Sequence, residues 1–348
     1  MLTHAMALAR ILAAVAIAVL LGWSAARADD PGFFRIGTAG TAGTYFSIGG
    51  IIASAISSPP GSPNCQHGGA CGVPGLNAVA QASQGSVENV ELMSKHQLEA
   101  ALVQAEVASW AYNGTGVFKS RGAVPNLRAI GAVFPESIHL VVPADSPIKS
   151  LRDLKGKRVG LGEKESGTLA DVRLLLEQAG LSERDLKPDY SRLADAANGI
   201  RENTLDAFFL IGGWPIPAIA DLANSTPIRL VPIDDETFAK MNKRYPFFSR
   251  VEIPGGTYEG VDENTKTAGV SALLVVNAEI PDALVYAITK SLWSDATRHI
   301  LVMRHPMGQR IGIEHALEGV EIPLHPGAER YYREAGLMSD TARTDPPK

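Results

Sequence analysis

The sequence predicts an α/β fold, and three observations carry that expectation. From Val159 onward, short apolar segments alternate with helical ones: Val159 to Gly162, Pro188 to Leu193, Leu205 to Ile211 and Ile228 to Ile233, each followed by a helix. Such alternation argues for parallel α/β layers. Twice, a short apolar strand runs into a loop of small residues that opens an amphipathic helix. The chain of 348 residues is also long enough for one large or two medium domains with real cores.

The elements follow in order. Arg10, the apolar stretch Ile11 to Trp23 and the small-x-small run Ala26-Arg27-Ala28 form an export signal. The expectation is cleavage after Ala28 and a periplasmic chain from Asp29. The apolar stretch falls short of the roughly 20 residues that span a bilayer, and no cysteine follows it to carry a lipid. Phe33 to Ile36 is the first strand. It enters Gly37-Thr38-Ala39-Gly40-Thr41-Ala42-Gly43-Thr44-Tyr45, where a helix starts with Tyr45, Ile48, Ile52 and Ile56 on one face.

Cys65 and Cys71 lie in the Gly/Pro/Ser/Asn-rich stretch from Ser57 to Gly75. In an oxidising compartment this pair reads as a short-loop disulfide. Metal binding with the nearby His67 lacks a fourth ligand. Asn77 to Ser83 alternates as a strand, Gly85-Ser86 opens a helix to about Lys95, Leu98 to Val103 is a buried strand, and Val107 to Tyr112 is helical. Leu127 to Phe134 and Ile138 to Val142 read as two strands. Arg158 to Gly162 is the second Gly-rich strand. Its loop, Glu163 to Gly167, opens a helix from Thr168 to Ala179 with the stripe Leu169, Val172, Leu175, Leu176 and Ala179. Ala268 to Asn277 is strongly apolar strand, and helices start near Asp282, Asp295 and Ala328.

The chemistry-bearing residues are few. Net charge is −5 and no basic face is apparent, so nucleic acid is not an expected partner. The eight histidines are scattered, with no zinc-type spacing. No Gly-x-Ser-x-Gly elbow, phosphate loop or full dinucleotide fingerprint occurs. Ser166-Gly167-Thr168 offers a hydroxyl without an identifiable base, so binding is preferred to catalysis and no cofactor is implied. Both Gly-rich loops leave backbone N–H groups at a helix start, which suits an anion. The candidate binding residues are Thr38, Ala39, Gly40, Thr41, Gly43, Thr44 and Tyr45 on the first loop, Ser86 and Val87 on the next helix start, and Ser166, Gly167 and Thr168 on the second loop.

An ordered series of motifs then carries a resemblance over nearly the whole chain after the leader. It comprises Gly37 to Tyr45 with Gly49-Gly50, Gly85-Ser86-Val87-Glu88-Asn89, Val103-Gln104, Ala111-Tyr112-Asn113-Gly114-Thr115-Gly116, Asp145-Ser146-Pro147-Ile148, Leu154 to Val159, Ser166-Gly167-Thr168, Ile253 to Tyr258 and Leu324 to Ala328. With these the chain resembles the TAXI family, the extracytoplasmic solute-binding subunits of tripartite TRAP transporters. The resemblance implies the two-lobed type II periplasmic binding protein fold with a ligand cleft between lobes. It implies chain crossings, placed near Leu140 and Leu274, so that residues 29–140 plus 275–348 form lobe one and 141–274 lobe two. It also implies membrane permease subunits as partners, an ion gradient as driving force and no catalytic group. The expected solute is a small carboxylate-bearing molecule, and the receptor is expected to act as a monomer.

Several positions depart from the family pattern. Ser47 stands where proline is usual, Gln84 where glycine is usual, Ala105-Glu106 where a Ser-Asp pair is common, and Trp214 where Gly212-Gly213-Trp214-Pro215 normally has histidine. Gln104 is a candidate for bonding a polar end of the solute. Glu106 has three open roles: reading an ammonium, reading a hydroxyl, or facing solvent. Gly213 joins the candidate set, and Tyr45 and Trp214 pack either the solute's carbon skeleton or the core. A sensor that signals to a membrane kinase and an exported enzyme are the competing functions.

Overall fold

The computed structural model describes residues 33–63, 65 and 71–339. The export signal, His67 and the tail from 340 lie outside the described residues. The strands are β1 (Phe34–Gly37), β2 (Ser57–Ser58), β3 (Val73–Pro74), β4 (Ala78–Gln81), β5 (Ala100–Gln104), β6 (Leu127–Pro143), β7 (Arg158–Gly160), β8 (Lys187–Asp189), β9 (Ala207–Gly212), β10 (Ile228–Leu230), β11 (Ser249–Ile253) and β12 (Thr265–Asn277). The helices are α1 (Thr44–Ile56), α2 (Ser86–Ser94), α3 (Ala105–Asn113), α4 (Gly167–Gln178), α5 (Leu193–Arg201), α6 (Pro217–Ala223), α7 (Asp235–Arg244), α8 (Asp282–Leu292), α9 (Asp295–Arg304) and α10 (Pro326–Glu334). None of these helices is long and apolar enough to cross a membrane.

The main sheet runs β4-β1-β5-β12-β6-β9-β7-β8, with β10 on β6 and β11 on β12. It is mixed rather than purely parallel. β1 pairs parallel with β4 and β5, and β7 with β8 and β9, but β12 is antiparallel to both β5 and β6. The two segments read as separate strands on either side of Pro135 are one strand of 17 residues, β6. Pro135 is tolerated because it sits opposite Ser271 of β12, beside a register shift between Ala272 and Leu273 where the ladder is already irregular.

Two sets of apolar clusters flank this sheet. The first set gathers Ile36, Ile48 and Ile52 of β1 and α1, Val103 and Val107 of β5 and α3, Val133 and Phe134 of β6, and Leu273 to Val276 of β12. The second gathers Ile138 and Leu140 of β6, Val159 of β7, Leu169, Val172, Leu175 and Leu176 of α4, and Ala268 and Val270 of β12. Thus β6 changes core between Phe134 and Ile138, and β12 between Val270 and Ala272. The α4 stripe is buried on schedule with its 3.6-residue spacing. Its N-cap Ser166 accepts a hydrogen bond from the Leu169 amide at 3.0 Å. Gly114 closes α3 in a left-handed conformation, φ 65°.

Candidate functional site

A cavity of about 70 Å³ lies where the two core sets meet. A single buried water needs roughly 10–15 Å³ on this measure, so the space suits a small solute. One wall carries Gly40, Gly43, Thr44 and Tyr45 of the first loop, Gly85 and Ser86 of α2, Gln104 and Glu136. The other carries Gly162, Glu163 and Ser166 to Thr168 of the second loop, with Leu210 to Gly212 at the end of β9.

Three helix N-termini converge here, those of α1, α2 and α4. The N-caps of α1 and α2 are Gly43 and Gly85, and neither offers a side chain to the first-turn amides. Their partial positive charge points at the cavity, and no lysine or arginine is among the lining residues. Gly85 has φ 119°, and a Cβ there would sit 3.5 Å from the Ser166 Cα, so the backbone conformation itself calls for glycine.

The walls also touch each other. The Glu88 amide donates to the Glu165 carbonyl at 3.1 Å, and the Ala218 amide to the Ala42 carbonyl at 3.2 Å. The Thr44 hydroxyl donates to the Gly213 carbonyl. Arg121 bridges Glu91 and Glu165, both at 2.6 Å. Deeper in, the Gln104 amide Nε2 donates to Asp171 Oδ2 at 3.2 Å.

Beneath this contact lie three fully buried carboxyls: Glu106 at the start of α3, Glu136 on β6 and Asp171 on α4. Burial is the main reason that all three are raised. Glu106 is pushed up to about 8. Asp171 is raised well above the carboxylate range, with the charges of Glu106 and Glu136 adding to burial. Glu136 is raised likewise, although Tyr45 donates its hydroxyl to Oε2 at 2.9 Å. Burial therefore favours the protonated form of these carboxyls, and carboxyls in that form donate as well as accept hydrogen bonds. The Glu106 oxygens, Asp171 Oδ1 and Gln104 Oε1 have no hydrogen-bond partner.

The other site residues named from the sequence divide as follows. Ala39 lines the cavity with Gly40 and Gly43. Thr38 is fully buried, and its hydroxyl donates to the Gln81 carbonyl at 2.8 Å. Thr41 is exposed, and Val87 packs in the α2–β5 core. Gly213 adjoins Phe134 and Met307, and Trp214 packs on the first core set and on a further cluster with Ile216, Ile219 and Tyr258, with the Arg310 guanidinium 4.9 Å from its ring. Thr168 lines the cavity, and its Oγ1 accepts from the Ile211 amide at 3.2 Å. Of the three roles open to Glu106, facing solvent is excluded by its full burial. Cys65 and Cys71 are bonded.

Glu136 and Asp171 escaped the sequence reading, yet each left a signal. Glu136 alternates in phase with the apolar Phe134 and Ile138, so it shares their inward face. Asp171 stands four residues after Gly167 and four before Leu175, on the edge of the buried helix stripe.

Among solved structures the chain is similar to the ligand-binding component of an ABC-type import system from Staphylococcus aureus, at 11% identity and TM-score 0.48, covering 88% of this chain and 92% of that one. It is also similar to the substrate-binding protein of an amino acid ABC transporter, at 12% identity and TM-score 0.45, with 79% and 100% covered. The periplasmic aliphatic sulphonate-binding protein SsuA from Escherichia coli matches at 16% identity and TM-score 0.42, with 86% and 78% covered. The model of the NMT1-like family matches residues 36–336, and the chain belongs to that family.

Proposed function

We propose that this protein is an extracytoplasmic solute receptor of a TRAP transporter of the TAXI type, and that it holds a small carboxylate-bearing solute in the cavity. The observation that carries the reading is the convergence of three helix N-termini on a small cavity lined by no lysine or arginine. Amides and hydroxyls there supply several hydrogen bonds to a charged acceptor, each worth about 1.5–3 kcal/mol. Several of these suffice for micromolar binding or better. The raised carboxyls below are compatible with an anion because, once protonated, they cease to repel it.

The two core sets act as two lobes. We set the crossings at Pro135–Ser137 of β6 and at Ser271 of β12, where core membership changes, a few residues before the sequence-based positions. Opening about these strands admits the solute, and closure wraps it. The reading is binding without turnover. The Ser166 hydroxyl is already engaged, capping α4 and donating to the Glu163 carbonyl at 2.6 Å. A dicarboxylate, a 2-oxo acid or an acidic amino acid fits these terms. Mass spectrometry of small molecules released by denaturing the purified protein tests the reading. A stoichiometric organic acid supports it, and a stoichiometric cationic or neutral compound overturns the carboxylate assignment.

A further inference from the structure

Glu106 and Asp171 come from opposite sides of the cleft. Glu106 opens α3, whose Ala105, Val107 and Ala108 belong to the first core set. Asp171 lies on α4, whose Leu169 and Val172 belong to the second. Both are 0% exposed and within hydrogen-bonding reach of each other. We infer that Glu106 and Asp171 form a proton site across the cleft, filled from solvent when the lobes meet, so that closure takes up one proton.

The hydrogen-bond inventory supports this independently of any titration. With both groups written as bare carboxylates, Glu106 Oε1, Glu106 Oε2 and Asp171 Oδ1 are buried acceptors without a donor. The Gln104 amide supplies one N–H, and it goes to Asp171 Oδ2. One added proton turns an acceptor into a donor and joins the two side chains. Without it, two buried like charges face each other, and no cation among the described residues is seen to offset them.

The surroundings push the same way. Besides one another, the charged groups acting on the pair are Glu136 from β6 and Glu321 from the segment before α10, both acidic. The Tyr45 hydroxyl from α1 is committed to Glu136. The first-turn backbone of Glu106 and Val107 favours charge on Glu106, and the Gln104 amide favours charge on Asp171, but burial outweighs both. The proton therefore belongs to the pair rather than to one residue. In an open cleft both carboxyls meet water and return toward their ordinary range. The closed form then binds more protons than the open form, and closure weakens as pH rises.

This inference rests on the receptor reading for the opening motion but is tested without any solute. Small-angle scattering of the purified protein is measured from about pH 5.5 to 9.5, with circular dichroism as a check on folding. The wild type is expected to hold a compact radius at the low end of this range and to expand toward the high end. Glu106→Gln, and separately Asp171→Asn, are expected to stay compact to the top of the range. A wild-type radius that does not change, or variants that expand at the wild-type pH, overturns the proposal. If a variant fails to fold, infrared titration of the wild type decides. The carbonyl band of a buried protonated carboxyl must disappear over the same pH range, and its absence at pH 6 overturns the proposal. A receptor that retains solute but closes independently of pH keeps the functional reading and loses only this one.

Discussion

The amide of Gln104, at the N-cap of α3, donates to the carboxyl of Asp171 on α4 at 3.2 Å, joining the two walls of the cavity. The same side chain lies against the first residue of α4. A Cβ added to Gly167 would fall 1.5 Å from Gln104 Oε1. The approach of the two helices therefore depends on the absence of one methyl group.

Gly167→Ala should force the Gln104 side chain aside and break its bond to Asp171. The helix itself gains a better helix former, so the fold should survive. Solute affinity should fall roughly tenfold or more, the scale of one hydrogen bond to a charged group. Gly50→Ala is the control, because its Cβ would meet nothing within 4 Å and the residue does not line the cavity. Titration calorimetry on both variants reads the difference. Equal affinities in the two would refute the contact's role.

Tyr258→Phe should destabilise the chain. The Tyr258 hydroxyl accepts from the Ile216 amide at 3.0 Å and faces His139 Nε2 at 3.0 Å. Burial holds His139 neutral, lowered to about 4, and its Nδ1 lies 2.9 Å from the Ser137 carbonyl. Nδ1 therefore donates and Nε2 accepts from the tyrosine. Phenylalanine leaves two buried polar atoms unpaired, a cost of about 2–4 kcal/mol in total. Denaturant melting checks this, and a midpoint unchanged from wild type contradicts it.

The Cys65–Cys71 bond closes a loop with a sequence separation of 6. Loop entropy assigns such a bridge about 2–3 kcal/mol. Neither cysteine lines the cavity. Replacing both by serine should lower stability by up to that amount and leave solute affinity unchanged. Intact mass after alkylation, with and without reductant, should show two accessible thiols only after reduction.

Stability should depend on pH through Glu106. Its carboxyl is raised in the folded chain from 4.5 to about 8. A raised carboxyl means that the folded state binds the extra proton. Its stabilising contribution is complete below about pH 4.5 and is lost as pH rises through about 8. His139 acts in the opposite sense between about 4 and 6.5, because its folded value is depressed. The useful quantity is therefore wild type minus Glu106→Gln, which removes the proton shared by Glu106 and Asp171 and keeps the His139 titration. That difference should fall steadily from pH 5 to 8 in thermal melts. A flat difference would contradict the burial of an ionisable Glu106.

The two Gly-rich loops were legible because a strand, small residues and a helix start are local patterns. Which residues of a loop face the cavity was not. Thr38 and Thr41 carry the same hydroxyl as Thr44, but Thr38 turns to Gln81 and Thr41 to solvent. The unbroken β6 was hidden by Pro135, whose lost hydrogen bond is absorbed by an irregular register with β12. The carboxyl floor was hidden for a different reason. Glu106, Glu136 and Asp171 are remote in sequence, and only the meeting of α3, β6 and α4 brings them together.

The central claim is that the cavity holds one small acid at converging helix starts. The most direct test is calorimetric titration of stripped protein, near pH 6, against dicarboxylates, 2-oxo acids and acidic amino acids. One of them should bind once per chain with micromolar or better affinity, and Gly167→Ala should weaken it at least tenfold. A folded protein that binds none of these acids would contradict the account.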